Sequence, residues 1–253
     1  MEWVANRHVL QIKREEGRLA LKYRLYHYTL SPFCRKLRLV LSEKKVEFEL
    51  IEEKYWEKRP EFLRISPAGK VPVLWGKSKE TGQSKVFSDS LATCEYIDEI
   101  HPEPPLMPTE RLERYETRRL INWFDEKFYQ EVTSKLVGER VLRRLQDLGP
   151  PDAANIATGR RNLHFHLEYT TYLLDNRRWI AGNSMTLADF AAAAHISCLD
   201  FIHDIDWNEL PTIQAWYSAM KSRPAFQPLL SEFIPYVRPP PDWYSDLDFG
   251  EHD

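Results

Sequence analysis

Cysteine is scarce in this chain of 253 residues, and the three that occur stand far apart. Cys34, Cys94 and Cys198 supply neither a framework of disulfides nor closely spaced zinc ligands, and this usage suits a reducing cytoplasm. His164 and His166 stand two apart in a predicted helix, so they point in different directions and cannot share a metal ion. We therefore expect no metal site.

Long apolar runs are also missing. None approaches the roughly 18 residues that a membrane-spanning helix needs, and the N-terminus lacks a signal-peptide core. The formal net charge is only −3, so the chain as a whole does not attract nucleic acid. A hydrophobic content of 43% nevertheless suffices for a sizeable core. We expect a folded cytoplasmic protein without membrane insertion or a nucleic-acid partner.

Changes in composition and in hydrophobic pattern divide the chain into five parts. Residues 1–22 are mixed and fairly basic, and form either a mobile extension or a partner-binding segment. Residues 23–100 follow the order β-α-β and then β-β-α, which predicts a small α/β domain. The proline-rich residues 101–108 cannot continue a helix and form a linker. Residues 109–234 are helical in period, and residues 235–253 form an acidic, proline-rich tail.

The helical half contains several specific predictions. Thr109–Leu145 is predicted to form one long helix, or two that join near Gly138. Leu187–Phe201 is nearly all apolar, so we expect a helix that is buried on every side. Thr186 and Asp189 stand three apart at its start, which indicates a capping box.

The most informative stretch is Ser31–Cys34, with the sequence SPFC, at a predicted strand-to-helix turn. Unpaired N–H groups and the helix dipole would stabilise a thiolate there. In the helix that follows, apolar residues recur at helical spacing, whereas Arg35, Lys36 and Arg38 fall on the other face.

Two further motifs could contribute to a ligand site together with this turn. Val71-Pro72 is predicted to open a strand at a sheet edge, where a cis peptide bond would turn backbone groups towards a ligand. Asp89-Ser90 is predicted at a helix start, where backbone and side-chain donors can hold a carboxylate. Each motif alone is weak evidence.

In this order, and followed by a proline-rich linker and a helical half, the motifs resemble the glutathione S-transferase superfamily. The resemblance implies an N-terminal thioredoxin-like domain, an all-helical C-terminal domain and often a homodimer. It implies that Ser31 holds the glutathione thiolate and that Lys70 faces the glycine carboxylate. Val71 would bind the tripeptide backbone, and Asp89 with Ser90 the γ-glutamyl end. Glutathione would be a substrate, not a permanently bound cofactor.

The motifs also depart from parts of that superfamily. Thiol-transferring members carry cysteine where this chain has Ser31, which argues against disulfide exchange. Cys34 lies one helical turn further on, and we interpret it as a small buried apolar side chain. Asp89 is one methylene shorter than the glutamate of many relatives and reaches less far towards an ammonium group. Tyr28 and Trp56 are large enough to occlude the site.

The second half resembles a subgroup of transferase-like proteins that act in bacterial division. The resemblance lies in Ile121–Phe128, Met185–His195, Lys221–Pro224 and the ending Asp246–Phe249. It implies a dimer that binds filaments of the tubulin homologue FtsZ and links them to cell-wall synthesis through its C-terminal tail. The residues of this tail motif are Asp246, Leu247, Asp248 and Phe249.

The sequence is therefore compatible with two alternative functions. The first is a non-catalytic adaptor, whose acidic and apolar tail would order on a partner. The second is an active glutathione S-transferase that uses Ser31 to stabilise the thiolate. Trp243 and Tyr244, near the tail, fit either contact with a partner or packing against the chain's own surface.

Overall fold

Residues 23–77 and 81–244 are described by the structure, which is a computed structural model. The predicted extension of residues 1–22 and the tail residues 246–249 lie outside the described residues. Within the described part, no helix is long and apolar enough to cross a membrane.

A four-stranded sheet with helices around it forms the first half of the chain. Its strands are β1 (Tyr23–His27), β2 (Phe48–Glu52), β3 (Val73–Lys77) and β4 (Ser84–Ser88), in the order β2-β1-β3-β4. β1 and β2 are parallel, whereas β3 is antiparallel to both β1 and β4. This is the thioredoxin-like arrangement that the sequence predicts.

Three helices accompany the sheet: α1 (Pro32–Glu43), α2 (Pro60–Ile65) and α3 (Ser90–Ile100). One sequence prediction is wrong here, because Pro72 adjoins a central strand and not an edge strand. Pro72 is tolerated because it precedes Val73, the first residue of β3 that pairs with a neighbouring strand, so no ladder hydrogen bond is lost.

The helical half begins with one long helix, α4, and so the alternative of two helices joined near Gly138 is wrong. It starts as Arg111–Asn122 and passes without a break into a π-helical segment, Trp123–Thr133. Ser134–Val137 returns to α-helix, Gly138–Leu142 is again π-helical, and the last three residues are α-helical. Gly138 has right-handed helical dihedrals and open space around its Cα, so it does not interrupt the helix.

Four more helices complete this half: α5 (Ala153–Asp175), α6 (Leu187–Phe201), α7 (Pro211–Lys221) and α8 (Gln227–Leu230). Every residue of α6 is buried, as its composition predicts.

The capping box at the start of α6 is confirmed. The Asp189 carboxylate accepts the backbone N–H of Thr186 at 2.8 Å, and the Thr186 hydroxyl accepts that of Ala188 at 3.3 Å. Asp189 also accepts N–H groups from Ile180 and Trp216, at 2.9 and 3.0 Å. The carboxylate is therefore a structural centre of the helical half.

The basic face of α1 is buried, which its sequence pattern does not predict. Arg35, Lys36 and Arg38 are at most 4% exposed. Glu232 pairs with both arginines, and Asp125 pairs with Lys36. The side chains are hidden because the helical half covers this face and supplies carboxylates for its charges. Ion pairs of low exposure thus join the two halves.

The segment after α8 folds back over the helical half. Trp243 is fully buried, and its indole N–H donates to the backbone oxygen of Leu230 at 3.0 Å. Its ring lies edge-on to Phe201 at 5.2 Å. Of the two roles left open for Trp243, the structure therefore shows packing against the chain's own surface.

Candidate functional site

An open cleft of about 770 Å³ lies between the sheet domain and α4. The five residues that the sequence places in a glutathione site all line it, on the side of the sheet domain: Ser31, Lys70, Val71, Asp89 and Ser90. They come from three separate parts of the chain, and the fold brings them to one wall. The structure thus shows their proximity, and their role in binding remains a prediction.

Ser31 caps the start of α1. Its hydroxyl oxygen accepts the backbone N–H of Cys34 at 3.3 Å, and its backbone oxygen accepts that of Arg35 at 2.9 Å. Since a hydroxyl group has one donor besides its acceptor lone pairs, this cap leaves the O–H free to donate to a ligand. An anion at this point would also face the positive end of the helix dipole.

The thiol of Cys34 does not face the cleft. Its side chain is fully buried, its sulfur accepts the backbone N–H of Tyr28 at 3.4 Å, and burial raises its pKa to about 12. A thiol with such a pKa forms almost no thiolate at neutral pH. Cys34 is therefore a packing residue, as its position one turn after Ser31 predicts.

The residues at the starts of β3 and α3 form the opposite end of this wall. The Val71–Pro72 peptide bond is cis, and the backbone oxygen of Lys70 accepts the Ser66 hydroxyl at 3.1 Å. Asp89 has a positive φ of 76° and caps α3 by accepting the N–H of Ala92 at 2.9 Å. This cap uses Oδ1 alone.

Aromatic side chains do not fill the cleft. Tyr28 packs edge-on against Trp56, with ring centroids 4.9 Å apart, and also meets Tyr55. Tyr28 and Tyr55 form part of the wall, whereas Trp56 does not line the cleft. The site between Ser31 and Ser90 is open.

The second wall consists of two columns of α4 side chains, each with a spacing of four residues. The first column is Ile121, Asp125, Tyr129, Thr133 and Val137, and the second is Asn122, Glu126, Gln130, Ser134, Gly138 and Leu142. In an α-helix four residues overshoot one turn by about 40°, so such a column would rotate away from the cleft. The wider turns of the two π-helical segments offset this rotation. The π-helical turns thus keep both columns on the cleft.

Asp125 brings a charge network to this wall. It pairs with Lys36, and its Oδ1 lies 3.6 Å from Nε2 of His195. The other ring nitrogen of His195 lies 2.9 Å from the Thr133 hydroxyl. Burial alone would raise the pKa of Asp125. The charge of Lys36 and the contact with His195 outweigh this effect and hold that pKa below its ordinary value.

None of these α4 wall residues is predicted from the sequence to belong to the site. The residues of the two columns share no chemical type, so no pattern in the sequence marks them as a wall. Over the described residues, no group of three or more His, Cys, Asp or Glu side chains could hold a metal ion.

Models of known protein families match both halves of the chain. The model of the glutathione S-transferase N-terminal domain matches residues 25–105, and that of the C-terminal domain matches residues 153–232. The chain belongs to the glutathione S-transferase family. The fold and the family that the sequence predicts are therefore confirmed.

Within the glutathione S-transferase family, one similar sequence and two similar structures each cover nearly the whole chain. FtsZ-localized protein A of Caulobacter vibrioides is 41% identical over 91% of this chain and 100% of its own length. The structure of FzlA from C. crescentus has 40% identity and a TM-score of 0.85, and covers 89% of this chain and 99% of its own. A glutathione S-transferase structure from Rhodospirillum rubrum has 43% identity and a TM-score of 0.83, with 88% and 99% covered.

Proposed function

We propose that this chain is a non-catalytic adaptor that associates with FtsZ in bacterial division. The observation that carries the proposal is the 41% identity to FtsZ-localized protein A along the full length of that protein. The adaptor acts in the cytoplasm as a homodimer, in keeping with its family. It uses the transferase fold as a rigid scaffold for partners, and its interface charges, buried between the two halves, favour such rigidity.

The last part of the predicted tail, residues 245–253, links FtsZ filaments to the cell-wall synthesis machinery under this proposal. Its sequence sets Leu247 and Phe249 between acidic residues, a composition that suits binding in an apolar, basic groove of a partner.

Co-sedimentation tests the FtsZ association. The full chain should pellet with FtsZ filaments and remain in the supernatant without them. A variant with Leu247→Ser and Phe249→Ser should still pellet, because these changes remove only the tail contacts, but it should fail to support constriction in cells. Failure of the full chain to pellet with filaments at low salt would refute the association.

Glutathione binding is the second candidate function, and the open cleft favours it. Ser31 has an O–H free to donate, and the four other predicted site residues lie on the same wall. A serine hydroxyl and a helix N-terminus both stabilise a thiolate. An active enzyme would use Ser31 for this purpose.

Calorimetry with glutathione tests this second function. Wild-type protein should release or absorb heat, Ser31→Ala should weaken binding, and Ser90→Trp should block the γ-glutamyl end of the cleft. Ser222→Ala is the matched control, because Ser222 is an exposed serine that does not line the cleft. No heat at millimolar glutathione would exclude the enzyme and leave the adaptor proposal intact.

A further inference from the structure

One guanidinium group joins three parts of the fold. Arg35 is fully buried, and its Nε donates to the backbone oxygen of Thr29 at 2.9 Å. Its Nη1 donates to the Ser197 hydroxyl on α6 at 2.8 Å, and its Nη2 to the Glu232 carboxylate at 2.9 Å. Thr29 belongs to the turn of residues 28–31, which we call the Ser31 turn. Arg35 thus connects that turn to α6 and to Glu232, which follows α8.

The segment of residues 234–244, which we call the strap, covers this guanidinium group. The Trp243 ring centroid lies 5.8 Å from Cζ of Arg35 and 5.3 Å from Nζ of Lys221. The ring of Phe201 lies 5.7 Å from the same Cζ. Because both rings exclude water, the hydrogen bond from Arg35 to Thr29 is stronger than it would be in contact with solvent.

We propose that the strap positions the Ser31 turn through Arg35, and that occupation of the cleft and attachment of the strap are therefore coupled. When Trp243 leaves its site, water reaches Arg35 and competes with the Thr29 oxygen for its N–H groups. The turn then loses its attachment on this side.

The coupling acts in both directions. By thermodynamic linkage, a ligand that favours the ordered Ser31 turn must favour strap attachment by the same factor. The tail follows directly after the strap, so a partner that pulls the strap away through the tail weakens ligand binding in the cleft. This ligand-dependent part rests on the glutathione binding proposed above, whereas the link between strap and turn does not.

Amide hydrogen exchange of the full chain tests the link between strap and turn. Trp243→Ala should speed exchange at the amides of Ser31, Cys34 and Arg35 by about tenfold, the factor that matches loss of one hydrogen bond to a charged group. Trp243→Phe keeps a ring over Arg35 and should restore most of the protection.

Leu173→Ala is the control for general destabilisation. Leu173 is a core residue of α5, and its truncation also creates a cavity. It should not single out the Ser31 turn. The proposal is wrong if Trp243→Ala and Leu173→Ala change exchange in the same pattern, or if Trp243→Ala affects the strap alone.

Two further measurements complete the test. If Trp243→Ala does not fold, Glu232→Gln keeps the side-chain shape, removes the negative charge that holds Arg35, and should raise exchange at the same amides. Glutathione should slow exchange at the strap amides of Val237 and Trp243. Binding without this protection would refute the coupling to the ligand, whereas absence of binding would refute the glutathione site itself.

Discussion

Replacement of Glu232 by alanine should be among the most destabilising single changes at the junction of the two halves. The side chain is 10% exposed, and its partners Arg35 and Arg38 are 0% and 5% exposed. Its loss leaves two guanidinium groups in a region of low dielectric without their carboxylate. Removal of one partner from a buried ion pair costs about 3–5 kcal/mol. Because Arg35 keeps its bonds to Thr29 and Ser197, we expect about 3 kcal/mol.

Urea denaturation followed by circular dichroism measures this loss as a lower free energy of unfolding at an unchanged m-value. Glu95→Ala provides the control. Glu95 makes a two-point ion pair with Arg118, with both distances 2.8 Å, but the Arg118 side chain is 45% exposed. The control should cost less than about 1 kcal/mol. Equal losses for the two variants would refute the argument that burial makes the Glu232 pairs important.

Three more predictions concern other buried groups. Lys36→Met should lower the free energy of unfolding by about 3 kcal/mol at pH 7. Because the pKa of Asp125 is held below its ordinary value, the pair stabilises the fold above about pH 4, and this is lost as pH falls through the folded pKa. The loss in Lys36→Met should therefore shrink towards pH 3 in urea titrations, and a pH-independent loss would contradict the pairing. A chromogenic disulfide reagent should label Cys34, Cys94 and Cys198 only after unfolding, since all three are fully buried; a fast-reacting native thiol would show that one is accessible. Thr186→Ala should cost about 1 kcal/mol in urea denaturation through loss of the helix cap, and no loss would remove its capping role.

The sequence predicts those features that short stretches of chain determine by themselves. Ser31 caps α1 because its hydroxyl and the N–H that it accepts lie three positions apart. The capping box of Thr186 and Asp189 has the same spacing. The strand and helix order, and the family motifs on the cleft wall, are local in the same sense.

Features that depend on distant partners could not be predicted in this way. Arg35 meets Glu232, which lies 197 positions later, so a helical pattern alone assigns its charge to the polar face. The burial of Trp243 likewise depends on Phe201 and Leu230. The π-helical segments of α4 have no established residue signature, and the wall that they build was missed for that reason.

The spacing of the α4 columns separates two sets of side chains on one helix. The second column meets the cleft and stays exposed at Asn122, Glu126 and Gln130, whereas Phe124, Phe128 and Val132 are fully buried in the core. Substitutions at Asn122, Glu126 and Gln130, the exposed positions of the second column, can therefore change what the cleft accepts without disturbing the core of the helical half. Deletion of a single residue from Trp123–Thr133 would instead turn one end of the helix by about 100° and direct core side chains into the cleft. Natural variation along α4 should thus consist mainly of substitutions at the exposed positions of the second column, and insertions or deletions should be absent from it.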